Sequence, residues 1–181
     1  MRKISIRFLF ITASFLLVNL ISIESYAQSY LSKGLLKVDT KAPSFELISS
    51  NGDSIRLSDY RGKMVLLDFW YVGCKPCIKA FWDIDSLKQE LGKNSFVVIG
   101  MNPINRKGKI NKFKNKYKYT DKVAVCRKTS IVEDYKISAY PTIYIIDREG
   151  NIAFASAGYY KDLKKKIRGI LEKNIPHKIY L

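Results

Sequence analysis

Residues 64–81 read MVLLDFWYVGCKPCIKAF, and this stretch limits the possible folds most sharply. Met64 to Tyr71 is an apolar run of strand length, the kind buried on both faces of a central sheet. It ends on Cys74 and Cys77, with Lys75 and Pro76 between them. From Cys74 to about Leu91, the residues Cys77, Phe81, Ile84, Leu87 and Leu91 fall on one helical stripe. Gly92 then closes the helix as a C-cap. A buried strand feeding an amphipathic helix demands a sheet with a helix packed upon it. One residue breaks the apolar run. Asp68 costs stability inside it unless something uses the carboxylate.

The rest of the chain supplies the other elements. Asn51-Gly52-Asp53 is a turn signal between Phe45–Ile48 and Ser54–Leu57, which predicts a hairpin. Residues 57–63 read as a short turn or helical loop. Phe96 to Met101 is a second buried strand. Residues 102–122 are basic, with Ile110, Phe113 and Tyr117 at helical spacing. Val123 to Cys126 is a short strand, and Ile131 to Tyr135 a brief helix. Thr142–Ile146 and Ile152–Ser156 flank a turn at 147–151 and form a second hairpin. Leu163, Ile167, Ile170 and Leu171 mark a final helix. A strand–helix–strand crossover makes the first pairing parallel and right-handed. The last two strands add an antiparallel edge. The expected class is therefore α/β, a central mixed sheet with helices on both faces and an N-terminal hairpin. No internal repeat, low-complexity segment or second domain is visible.

The 181 residues carry 32 Lys+Arg against 16 Asp+Glu, a formal net charge of +16. Such a surface attracts anionic partners, but the lysines are spread along most of the chain, as a general compositional bias produces. No nucleic-acid partner is expected. Arg2, Lys3 and Arg7 precede a polar-spotted apolar run, Phe8 to Ile23, and Ser25-Tyr26-Ala27 offers a cleavage site before Gln28. This is a secretory signal pattern over 1–27. The competing reading is an uncleaved anchor, although 16 apolar residues fall short of the roughly 20 a spanning helix needs. Residues 28–41 read as a loose leader and 42–181 as the domain. The expected location is the periplasm of a bacterial envelope, with an inner-membrane anchor only if the N-terminal segment is retained. Three cysteines in an exported chain are too few for a disulfide scaffold. A close pair plus one more points to redox chemistry.

Cys-x-x-Cys at a strand-to-helix junction puts Cys74 at a helix N-terminus, where free N–H groups and the macrodipole favour an anion. The thiolate is the reactive form, and such a place lowers its pKa from about 8.5. Lys75 adds a positive charge, and Pro76 fits a first turn because it has no N–H to lose. Cys77 lies one turn inward, close enough for a disulfide. Cys74 attacks a disulfide and Cys77 resolves the mixed product. Asp68, as a buried carboxylate with a raised pKa, would take the Cys77 proton through water. The plainer alternative makes Asp68 a solvated carboxylate at a strand end. Zinc needs four ligands as a rule, and only Cys126 and His177 remain to complete a set; no metal is expected. A haem-attachment motif needs His after the second cysteine, where Ile78 stands. Cys126 reads as a small buried hydrophobe, the alternative being a regulatory or resolving thiol. His177 reads as surface. Ala139-Tyr140-Pro141-Thr142 precedes a strand, and a cis and a trans proline both fit there.

These residues together resemble the thioredoxin superfamily, most closely the exported TlpA/ResA-like thiol–disulfide oxidoreductases related to the AhpC/TSA redoxins. The likeness rests on Ala42-Pro43-Ser44-Phe45 with the Asn51-Gly52 hairpin, and on Asp68-Phe69-Trp70 leading to Cys74-Lys75-Pro76-Cys77. Tyr140-Pro141-Thr142 and Ile146-Asp147 with Gly150 complete it, over roughly residues 40–173. It implies a thioredoxin-like three-layer sandwich, Cys74 as nucleophile, Cys77 as resolving thiol, and Asp68 as the buried acid. It also implies that Pro141 is the cis-proline, and that Tyr140, Lys75, Pro76 and Trp70 serve the substrate. No cofactor is implied beyond the Cys74–Cys77 disulfide. The implied partners are protein thiols and disulfides and an upstream electron donor, the protein acting as a monomeric reductant in cytochrome c maturation or thiol repair. Gly73 stands where the family usually has Trp, and Ala80 where the ResA-like pattern commonly has Glu. Two other readings remain: a redoxin-type thiol peroxidase, and a non-catalytic basic binding module.

Overall fold

The Asn51-Gly52 turn joins β1, Glu46–Ile48, to β2, Ser54–Arg56, in the antiparallel hairpin expected there. A 3-10 turn, Leu57–Tyr60, leads towards β3, Val65–Phe69, which is buried along its whole length. The computed structural model describes residues 32–174. After β3 comes α1, Lys75–Leu91, and Gly92 follows it at a φ of 93°. Such an angle favours glycine. The chain then forms β4, Val97–Asn102, α2, Lys107–Tyr117, and β5, Lys122–Val125. A one-turn helix α3, Ile131–Asp134, precedes β6, Thr142–Ile146, β7, Ile152–Ala157, and α4, Leu163–Asn174.

The main sheet is ordered β5-β4-β3-β6-β7. β3 pairs parallel with β4, as its helical crossover requires, and antiparallel with β6. Successive side chains of a strand point to opposite faces. Val65, Leu67 and Phe69 accordingly join one core cluster, with Leu47 and Ile55 of the hairpin and Ile131 of α3. Leu66 joins a second cluster, with Leu87 of α1 and Leu163, Ile167 and Leu171 of α4. Helices thus lie on both faces, unequally. The long ones share one face, while α3 and the hairpin cover the other. Asp68 points to the face of the long helices, level with Gly100 on β4 and Ile143 on β6.

The leader differs from the expected loose segment over its described part. Leu35 is buried in the first cluster, and the Asp39 N–H donates to the Ile152 carbonyl at 2.9 Å. The Ile152 N–H returns a bond to Thr40 at 2.8 Å. The charged and polar side chains of Lys37, Asp39, Thr40 and Lys41 stay exposed, so composition hid a backbone that pairs with β7. Tyr144, fully buried, ties this segment down. Its hydroxyl donates to the Tyr135 carbonyl at 2.7 Å and accepts from the Leu36 N–H at 3.1 Å. Tyr144→Phe therefore leaves two backbone groups without this partner and is expected to cost about 1–3 kcal/mol, read as a drop in the urea midpoint.

Among the described residues no helix is long and apolar enough to cross a membrane. The signal or anchor expected over 1–27, and His177, lie outside the described residues.

Candidate active site at the start of the first long helix

Cys74 is the N-cap of α1, in extended conformation, with Pro76 in the first turn. Cys74 and Cys77 form a disulfide, their Cα atoms 5.3 Å apart. The Cys77 N–H donates to Cys74 Sγ at 3.2 Å, so one of the helix's unpaired donors is aimed at the sulfur. The partial positive charge of the helix start acts on the same atom. Lys75, Pro76 and Gly73 around it are exposed. Cys77 turns inward and shares a small cavity with Asp68, Trp70, Phe81, Phe113 and Tyr119.

The segment that delivers Cys74 is held by two asparagines that sequence reasoning passed over. The Val72 N–H donates to Asn105 Oδ1 at 2.7 Å, and the Asn105 N–H to Asn102 Oδ1 at 2.8 Å. Both asparagines are buried. The signal was present: two amides three apart, directly after a buried strand, suit a side-chain-closed turn. The Cys74 N–H completes the hold on the Tyr71 carbonyl at 3.2 Å.

The Tyr140–Pro141 bond is cis, which decides between the two prolines the sequence allowed. Thr142 pairs with Phe69 across β6 and β3, so Pro141 stands at the sheet end from which the cysteine segment departs. Tyr140 is half-buried, packs on the cluster that holds both cysteines, and meets Tyr71 edge to face at 5.4 Å. Trp70 differs from the substrate-facing place the resemblance implied. It is 3% exposed and packs against Phe113 at 4.6 Å and Tyr119 at 6.0 Å, as part of the layer beneath the disulfide.

Asp68 is 2% exposed, which removes the solvated strand-end alternative. Burial raises its pKa to about 7, helped by the negative charge of Asp121. Asp121 itself pairs with Lys88 of α1. Gly100 makes this site possible. A Cβ there would lie 2.8 Å from Trp70 Nε1 and 2.9 Å from Tyr119 Oη. Gly100→Ala is expected to cost about 1–3 kcal/mol by overpacking, seen as a lower denaturant midpoint with α1 still formed. Cys126 is buried, with a thiol pKa pushed up to about 12 by desolvation. It therefore stays a thiol at neutral pH, as a buried hydrophobe should. Among the described residues no group of three or more His, Cys, Asp or Glu could hold a metal ion.

A mixed five-stranded sheet, a cysteine pair at a helix mouth and a cis-proline heading the neighbouring strand define a thioredoxin-fold thiol–disulfide oxidoreductase. Residues 38–155 match the model of the AhpC/TSA family. ResA from Geobacillus kaustophilus, named a thiol–disulfide oxidoreductase, is 30% identical over 127 residues, 70% of this chain and 73% of that protein. ResA from Geobacillus thermodenitrificans is 29% identical over 147 residues, covering 80% and 84%. A Chlorobium tepidum structure described as a thiol:disulfide interchange protein DsbE superimposes with a TM-score of 0.70 at 27% identity, over 77% of this chain and 98% of that one. The chain belongs to the AhpC/TSA family, within the thioredoxin superfamily, and is ResA-like.

Proposed function

We propose that the protein is an exported, monomeric enzyme that reduces disulfides in protein partners through Cys74 and Cys77. The observation that carries this reading is the Cys74–Cys77 disulfide at the N-terminus of α1. In the reduced protein Cys74 is the thiolate, stabilised by the helix start. It attacks one sulfur of a substrate disulfide. The Cys74–substrate bond forms, and the other substrate sulfur leaves as a thiolate and takes a proton from solvent. Asp68 then accepts the Cys77 proton through a water, and the Cys77 thiolate attacks Cys74. The internal disulfide forms, the remaining substrate thiol is released, and two electrons have passed to the substrate. An upstream dithiol restores the reduced state.

Tyr140 and cis-Pro141 would present backbone to an extended substrate segment, with exposed Lys75 and Pro76 forming the opposite rim. Trp70 supports the site from below. Cytochrome c maturation and thiol repair both use such a reductant, placed in the periplasm, and the first 27 residues carry the export signal. The test is dithiothreitol-driven insulin reduction beside peroxide consumption. We expect insulin reduction well above background and no peroxide consumption; the reverse outcome would make the protein a peroxidase. Salt-dependent binding to an anionic partner that survives loss of both cysteines, with no insulin reduction, would make it a binding module.

A further inference from the structure

Three polar side chains converge on the cavity behind Cys77 without a protein partner. Asp68 Oδ1, Trp70 Nε1 and Tyr119 Oη are all buried and make no hydrogen bond to other described residues. One is an acceptor and two are donors. Both donors lie within 3 Å of the point where a Gly100 Cβ would start, at 2.8 and 2.9 Å, and Gly100 stands level with Asp68 in the sheet. Each orphaned group carries a desolvation cost, so three at one spot call for a shared partner. The space they line, together with Cys77, is about 10 Å³ for the centre of a water-sized sphere. That is about what one water requires.

We propose that Tyr119 is a positioning residue for the resolving step: its hydroxyl donates to one water between Asp68 and Cys77, leaving that water one lone pair for the Cys77 S–H and an O–H for Asp68, and through that water it stabilises the Asp68 carboxylate. The inference rests on Asp68 acting as base. The titratable and charged groups that face Asp68 are few. Cys77 comes from α1, and Tyr119 and Asp121 from the loop between α2 and β5. Asp121 is held by Lys88 of α1, and its carbonyl accepts from Lys114 of α2 at 3.0 Å. β4 and β6 bring only Gly100 and Ile143 level with it. Tyr119 stays protonated across the working range, because burial and the charge of Asp68 raise its own pKa well above the ordinary value. It therefore acts as a fixed donor and transfers no proton.

The sign follows. Tyr119 makes no direct bond to Asp68; it holds the water that donates to the carboxylate, and loss of that donor disfavours the charged form and raises its pKa. The experiment loads reduced protein with a dithiobis-nitrobenzoate probe on Cys74 and follows release of the nitrobenzoate thiolate by Cys77 against pH. Tyr119→Phe keeps the ring. It should move the step in rate upward by about one pH unit, which makes release roughly tenfold slower at pH 6 and unchanged at pH 9. An unmoved step, or uniform slowing at every pH, would overturn the proposal. In the unmodified protein the Tyr119 ring Cζ resonance should shift at the Asp68 midpoint near pH 7; a flat resonance would overturn it as well. Asp68→Asn separates the two readings. If that variant keeps the step near pH 7, Asp68 is not the base. If it loses the step while Tyr119→Phe leaves it in place, only the role of Tyr119 falls.

Discussion

Cys74→Ser will bring insulin reduction down to the rate of dithiothreitol alone, while Cys77→Ser will stop turnover at a different point. Cys74 is the sulfur placed at the helix N-cap, beside exposed Gly73, Lys75 and Pro76. Cys77 faces an interior cavity with Asp68, Phe81 and Tyr119. Both cysteines are 3% exposed, so exposure does not separate them; without Cys74, the remaining thiol has no helix start to hold its anion. Without Cys77, Cys74 still attacks, but the mixed disulfide has no internal thiol to release it. The Cys77→Ser protein will therefore accumulate a covalent adduct with its substrate, separable on a non-reducing gel and cleaved by dithiothreitol. The double variant will form none. An adduct carried by Cys77 in the Cys74→Ser protein would reverse the two roles.

Asp68→Asn will slow the resolving step and make the folded protein more stable, effects of opposite sign from one substitution. The carboxyl titrates near 7 in the fold, against 3.8 in the ordinary state, chiefly because burial penalises its charge. Below about pH 4 it is protonated in both folded and unfolded chains and costs nothing extra. As pH rises from about 4 to about 7, the unfolded chain gives up the proton more readily, so stability falls. Above about 7 the loss is constant, up to about 4 kcal/mol. Asn carries no charge, so the variant's urea midpoint should lose this pH dependence and exceed that of the parent at pH 8. Its nitrobenzoate release should be slower at the same pH, since no base takes the Cys77 proton. A parent stability that rises between pH 4 and 7 through this residue would contradict the assignment. The cost of the buried acid is the physical reason to seek a use for it.

Much of this site was legible because its parts are local. Cys74, Pro76 and Cys77 share one helix start, and the apolar run before them, interrupted only by Asp68, reads as a buried strand. Asp68 stood out by being the wrong residue type in that run. Tyr119 gave no such signal. It follows α2 through Lys118, which takes a left-handed conformation at a φ of 52°, and so falls outside any helical period. It reaches the site only because Gly100, on another strand, leaves room. Asn102 and Asn105 act through backbone closure, which composition does not register. Trp70 was misplaced because the resemblance assigned it to the substrate, whereas the alternation that continues one residue past β3 sends it inward on the face of Asp68. The described leader was misread because its apolar anchors, Leu35 and Leu36, are outnumbered by solvated neighbours.

The central claim is that the helix start holds Cys74 as an anion while Cys77 stays protonated. The most direct measurement is the pH dependence of iodoacetamide alkylation at each cysteine of the reduced protein, read by peptide mass. The account predicts that Cys74 reacts first, with a midpoint clearly below the ordinary value of about 8.5, and that Cys77 stays protected through neutral pH. Equal rates at the two sulfurs, or a Cys74 midpoint at or above that value, would contradict it.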